Sequence, residues 1–266
     1  MMATLAMAPA VKTSGTTQMV TLRIWRGDAA GGKFEDYSTR VSEGMVVLDA
    51  VHQVQADQAN DLAVRWNCKA GKCGSCSAEI NGKPALMCMT QLAHVPLDQP
   101  IVLEPMRAFP LLKDLVTDVS WNYRVKKRIQ PFKPRPPDAP DGTWRMGQAD
   151  VDRVQEFRKC IECFLCQDVC HVLRDHHKHD EFIGPRFLVH VAGLEMHPLD
   201  TADRLAELKE AQGIGYCNIT KCCTKVCPEG ITITDNAIIP LKERVVDRYY
   251  DPLARLWQLV FPRRRE

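Results

Sequence analysis

From Val20 the chain alternates apolar and polar side chains in VTLRIW. After a glycine-containing turn between Gly27 and Gly32, KFEDYSTRV resumes an extended pattern. A period of two marks a half-buried strand, so this stretch predicts a β-hairpin. After Gly44 the period changes: Val47, Leu48, Val51 and Val54 of MVVLDAVHQVQ fall on one face of a helix. SAEI and KPALM read as extended runs around Asn81-Gly82, the dipeptide that most readily closes a tight hairpin. Ile101 to Leu103 reads as a further strand, and Leu111 to Val119 as the start of a helix. From Tyr123 to Pro140, YRVKKRIQPFKPRPPDAP, the prolines predict an extended connector whose basic residues form a solvated surface. Beyond it little alternates. ADVDRVQEFRK, with Val151, Val154 and Phe157 on one side, predicts a helix, as do FLVHVAGLEM, TADRLAELKEAQ and ITDNAIIPLKERVVDRYYD. The last segment, LARLWQLVFPRRRE, has an apolar side and a terminal Arg263, Arg264, Arg265 cluster. It suits an anchor subunit or lipid head groups, or equally the surface of its own domain.

The pattern predicts an α+β protein, mixed in its first half and all-α in its second. A length of 266 residues fits two domains. The expected divisions are a flexible N-terminus at 1–19, a first domain at 20–130, a Pro-rich linker at 131–145, a helical domain at 146–251 and an amphipathic tail at 252–266. A hydrophobic fraction of 45% and a charged fraction of 26% exclude a disordered chain and a membrane-embedded body. No run is long and apolar enough to span a bilayer as a helix. A net charge of +2 points to no nucleic-acid partner. The first 20 residues hold one Lys and no Arg, unlike a secretory signal or a transit peptide, which leads to the expectation of a cytoplasmic N-terminus. No Gly-rich nucleotide loop, nucleophile constellation or carboxylate pair is visible, so any catalysis belongs to an assembly rather than to this chain.

Twelve cysteines change the picture. Secreted disulfide scaffolds are usually much shorter than this chain. Cys68, Cys73 and Cys76 form C-x4-C-x2-C, with Cys88 beyond the predicted Asn81-Gly82 turn; this is the plant-type spacing for a 2Fe-2S cluster. Gly71 and Gly74 between the ligands let backbone N–H groups close on the sulfurs. Zinc is the competing reading of four thiolates, but zinc sites more often pair C-x2-C with a second C-x2-C or H-x3-H. His52 and His94 stand alone and receive no role.

The second group, Cys160, Cys163, Cys166 and Cys170 in CIECFLCQDVC, has the bacterial ferredoxin spacing, whose fourth cysteine serves another cluster. CNITKCCTKVCP supplies the remainder. Cys227, followed by Pro228, completes a 4Fe-4S site with Cys160, Cys163 and Cys166. Cys170, Cys217 and Cys223 then suit a 3Fe-4S cluster. Neighbouring side chains generally diverge, so Cys222 reads as a buried non-ligand; were it a ligand, the third cluster would hold four irons.

These three groups, in this order, resemble the iron–sulfur subunit of succinate dehydrogenase or fumarate reductase, over about Val20 to Asp251. The resemblance implies a β-grasp two-iron domain followed by a helical ferredoxin-like domain. It also implies a relay from a FAD-containing dehydrogenase subunit through the three clusters to a quinone at a membrane-anchor subunit, on the cytoplasmic face of the bacterial inner membrane. FAD and quinone would lie on the complex rather than on this chain. In relatives whose third cluster has four irons, the extra ligand sits three residues after the equivalent of Cys217; here that residue is Thr220. In many members proline follows the equivalent of Cys170 and a tryptophan five residues beyond it lines the quinone site, whereas this chain has His171 and Asp175. Asn218 stands where those members carry histidine. His171, Asp175, Asn218 and Thr220 are therefore the quinone-proximal candidates. His171 is the strongest of the local histidines for proton delivery; His176, His177 and His179 read mainly as a solvated loop. The alternative is an electron-transfer subunit of another flavoenzyme, such as a hydroxy-acid oxidase or heterodisulfide reductase.

Overall fold

The computed structural model describes residues 17–252. Most of the expected N-terminal tail and nearly all of the amphipathic tail from 252 lie outside them. The first hairpin is β1 (Gln18–Asp28) and β2 (Gly31–Val41), antiparallel with Asp28 opposite Gly31. The strands run straight through the glycines at the turn: a Cβ on Gly27 would stand 2.5 Å from the Gly32 Cα, so only glycine allows this approach. Helix α1 (Val47–Asp57) crosses the sheet, burying Val47, Leu48, Val51 and Val54 as its periodicity requires. Asp49 secures its first turn by accepting the Val46 N–H at 3.1 Å. Strands β3 (Ser77–Ile80) and β4 (Lys83–Leu86) form the second hairpin, with Asn81 and Gly82 both at positive φ. Strand β5 (Ile101–Glu104) enters between the hairpins, parallel to β1, giving the order β2-β1-β5-β3-β4. A mixed sheet clasping one helix is the β-grasp arrangement.

Two expectations fail between residues 111 and 128. Leu111 to Val119 is a small ribbon, β6 (Leu111–Lys113) with β7 (Val116–Thr117), rather than the start of a helix. Its turn is held at Asp114, which has positive φ and is buried, and whose carboxylate accepts the N–H groups of Gly27 and Ala63 and the Arg26 guanidinium. The helix begins only at α2 (Ser120–Arg128) and runs through YRVKKR, where an extended connector was expected. The prolines start after it, at Pro131, and Trp121 and Val125 give it a face to bury. The proline-rich stretch that follows is pinned: fully buried Arg204 donates to the Gln130 and Pro131 carbonyls while paired with Asp200.

The second half is helical: α3 (Gln148–Gln155) leads through a 3₁₀ turn to Lys159, followed by α4 (Leu165–Asp168), α5 (His171–Arg174), α6 (Gly184–Glu195), α7 (Leu205–Glu210), α8 (Cys222–Lys225) and α9 (Ile239–Tyr249), the last entered through a π-helical turn at Ile233–Ile238. Phe157, Phe187, Leu188, Ile233 and Leu241 centre its core, which also takes in Phe109, Val125 and Ile129. Conversely Cys163 and Leu165 pack into the core of the β-grasp half. Among the described residues no helix is long and apolar enough to cross a membrane.

Candidate iron–sulfur centres

The first cysteine loop is built from left-handed turns at Lys69, Gly71 and Gly74, which aim successive N–H groups inward. Ala70 and Lys72 donate to the Cys68 sulfur at 3.3 Å, and Cys68 and Ser75 donate to that of Cys73 at 3.5 Å. Burial raises Cys73, but the Ser75 hydroxyl and the N–H groups of Cys68 and Ser75 outweigh it and bring the thiol down to about 6. Cys88 is returned to the loop by the second hairpin, where Met87 N–H bonds the Cys76 carbonyl at 3.1 Å. Burial, with Cys88 beside it, pushes Cys76 up to about 12. All four sequence-predicted members are thus brought together.

Cys160, Cys163, Cys166 and Cys227 line one small, enclosed and largely apolar cavity, with Ile161, Phe164 and Ile231 among the other walls. Burial, followed by the charges of the other cysteines, lifts Cys163 to about 12 and Cys166 well above its ordinary value. Cys163 and Cys166 are buried and Cys160 and Cys227 half-buried, so four sulfurs converge on one small apolar cavity, a donor set that suits a cationic centre. Arg186 lines the same cavity, and its Nε–H is buried with no partner in the protein. The donor set and the unfilled hydrogen bond fit a cluster.

At the third group, burial and then the charges of Cys222 and Cys217 hold Cys170 up at about 11, and Cys223 faces both Cys222 and Cys166. Cys222 departs from expectation. It is half-buried rather than buried, and its sulfur does not diverge. Hydrogen bonding from Cys223, against the effect of burial and with help from Thr220 and His171, pulls its thiol down to about 5; Thr220 Oγ1 lies 3.2 Å away. His171 and Thr220 therefore converge on Cys222, whereas Asp175 and Asn218 are exposed. His176 and His177 are exposed as well, but His179 is structural: it bonds the Ala108 carbonyl at 2.8 Å and stacks edge-on against Trp121.

The groups abut one another. A Cβ on Gly74 would lie 2.5 Å from the Cα of Cys163, and buried Ser77 donates its hydroxyl to the Gly74 and Cys163 carbonyls, both at 2.9 Å. Ser77 and Arg186 carry no motif in the sequence; a serine one residue beyond a ligand and an arginine near the start of an apolar helix are ordinary there.

A β-grasp domain with one cysteine loop, joined to a helical domain with two loops whose cysteines line a common cavity, defines a multicluster iron–sulfur electron-transfer protein. Residues 21–123 match the model for a 2Fe-2S iron-sulfur cluster binding domain, and residues 156–231 that for a 4Fe-4S dicluster domain. The fumarate reductase iron–sulfur subunit of Mycobacterium tuberculosis is 33% identical over 74% of this chain and 80% of its own length. The succinate dehydrogenase iron–sulfur subunit of Paracoccus denitrificans is 28% identical over 89% of this chain and 92% of its own. A chain of the Mycobacterium smegmatis Sdh1 complex in the apo form is 59% identical and superposes with a TM-score of 0.86, covering 90% of this chain and all of that one. The chain belongs to the family of succinate dehydrogenase and fumarate reductase iron–sulfur subunits, and its role is electron transfer within a membrane-associated complex.

Proposed function

We propose that this chain relays single electrons between a FAD-containing dehydrogenase subunit and a membrane quinone in a succinate:quinone oxidoreductase. Cys68, Cys73, Cys76 and Cys88 would hold a 2Fe-2S cluster, Cys160, Cys163, Cys166 and Cys227 a 4Fe-4S cluster, and Cys170, Cys217 and Cys223 a 3Fe-4S cluster. Such clusters exchange one electron at a time, which matches a two-electron flavin to stepwise quinone chemistry. The chain's own residues set the conditions: Ala70 and Lys72 N–H groups balance thiolate charge at Cys68, and the apolar walls around Cys166 keep water from the second site. The observation that carries the reading is contiguity. Gly74 and Ser77 touch Cys163 across the domain boundary, and Cys223 lies near enough to Cys166 to feel its charge, so the second group adjoins both of the others.

The exposed Trp66 and Met89 beside the first loop suit docking of the flavoprotein subunit. Tyr216 and Ile219, also exposed and flanking Asn218 near Thr220 and His171, suit the anchor subunit and the quinone. The proposed site of the complex is the cytoplasmic face of the bacterial inner membrane, with this chain held there through the anchor subunit. Purification with its partners should yield succinate-driven quinone reduction or quinol-driven fumarate reduction. A complex with all clusters loaded but inert to both substrates contradicts the proposal and favours another flavoenzyme.

A further inference from the structure

We infer that Arg186 is a positioning residue for electron transfer: its guanidinium faces the centre held by Cys160, Cys163, Cys166 and Cys227, donates to it, and raises its reduction potential. This rests on the four-iron assignment above.

Contacts within the protein hold the side chain in place. Gly184, at the start of α6, lets the helix close on Gln167 in the cysteine loop, where a Cβ would meet the Gln167 Oε1 at 2.0 Å. Gln167 in turn accepts the Arg186 backbone N–H at 3.2 Å. The Arg186 side chain is 6% exposed, and one arm reaches Glu162 Oε1. Glu162 sits inside the loop, between Cys160 and Cys163, with positive φ. The same Glu162 oxygen takes the Lys126 ammonium. One carboxylate therefore answers two cations, which leaves a net positive charge beside Cys160. The other charged group on the cavity wall, Glu229, is occupied by Lys72 at 3.1 Å. Arg186 lines the cavity beside Cys160 and Cys166, and its Nε–H has no acceptor in the protein. A buried donor is seldom left unpaired; a cluster or cysteine sulfur on the cavity side completes it.

The consequence is electrostatic. Reduction adds one negative charge to the centre, and a fixed cation in a water-poor site stabilises that form more than the oxidised one. The chain thereby sets how readily this centre accepts an electron passed across the Gly74–Cys163 contact.

The test is a dithionite titration, followed by EPR, of the whole purified complex. In Arg186→Gln the four-iron midpoint should fall so that the reduced-to-oxidised ratio at fixed potential drops about tenfold, about 59 mV for one electron. Arg186→Lys should stay near the unaltered protein, and the other two midpoints should not move. An unshifted four-iron midpoint in Arg186→Gln, or an equal shift at all three centres, overturns the inference. If that variant fails to assemble, Glu162→Gln decides: removing the shared counter-charge should move the midpoint upward, and no shift or a downward one overturns it. Absence of any reduced four-iron signal in the unaltered complex would instead contradict the assignment on which the inference rests.

Discussion

Gly74 has two reasons to be glycine. Its φ of +68° is left-handed, and its missing Cβ makes room for the Cys163 backbone. Gly74→Ala adds the cost of a non-glycine left-handed residue, of the order of 1–3 kcal/mol, to a clash that no flexible side chain can absorb. The variant should melt several degrees lower and lose communication between the first two centres, seen as slowed four-iron reduction after rapid mixing with reductant. His190 makes a second residue-level statement. Burial first, then the charges of Arg186 and Lys126, hold it down at about 4 from an ordinary 6.5. The folded protein thus binds this proton less tightly than the unfolded chain. The stability linked to it is complete above pH 6.5 and drains away as pH falls through the window down to about 4. In His190→Gln the melting temperature should depend less on pH across that window; an unchanged profile would show that the histidine is not linked to folding.

At the level of elements, the β3–β4 hairpin is what carries Cys88 to Cys76. Replacing Asn81 and Gly82 by Ala-Ala forces two left-handed positions onto residues that resist them, so the hairpin should loosen by about 2 kcal/mol. Visible circular dichroism should show a weakened two-iron signal while the four-iron EPR signal persists. This hairpin was fully legible in the sequence, as were β1–β2, α1 and the cysteine groups, because each rests on local periodicity or turn chemistry. The failures have the opposite character. The β6–β7 ribbon exists because Asp114 bonds Gly27 and Ala63, partners 87 and 51 residues away in the chain. Helix α2 extends through a basic stretch because Trp121 finds His179 and Phe187 across the domain boundary. At the candidate site the grouping of the cysteines was readable from spacing, whereas the inward turn of Cys222 and the approach of Arg186 depend on packing between segments.

Across the whole molecule, the two halves are locked by charge as well as by apolar contact. Glu79 of the sheet is fully buried and takes Arg174 of the helical half at 3.1 Å and Arg107 at 3.2 Å. Ala108 N–H bonds buried Asp168 at 2.9 Å. Arg107 is half-exposed and Arg174 only partly so, and the loss of Glu79 therefore costs less than the ~3–5 kcal/mol of a fully buried pair, most of it from the Arg174 charge left behind. Glu79→Ala should therefore lower the melting temperature of the complex by several degrees and expose the domain boundary to proteolysis; an unaltered melting curve would show that apolar packing alone joins the halves.

We propose three adjoining cysteine groups, the last of which would hold its cluster through three ligands with Cys222 beside them. EPR of the oxidised complex, with iron counted on the same sample, tests it most directly. Three-thiolate ligation at Cys170, Cys217 and Cys223 requires an oxidised three-iron signal and about nine irons per chain, from two-, four- and three-iron centres. About ten irons with no such signal would mean that Cys222 completes a second cubane, and zinc in place of iron would contradict the electron-transfer chain itself.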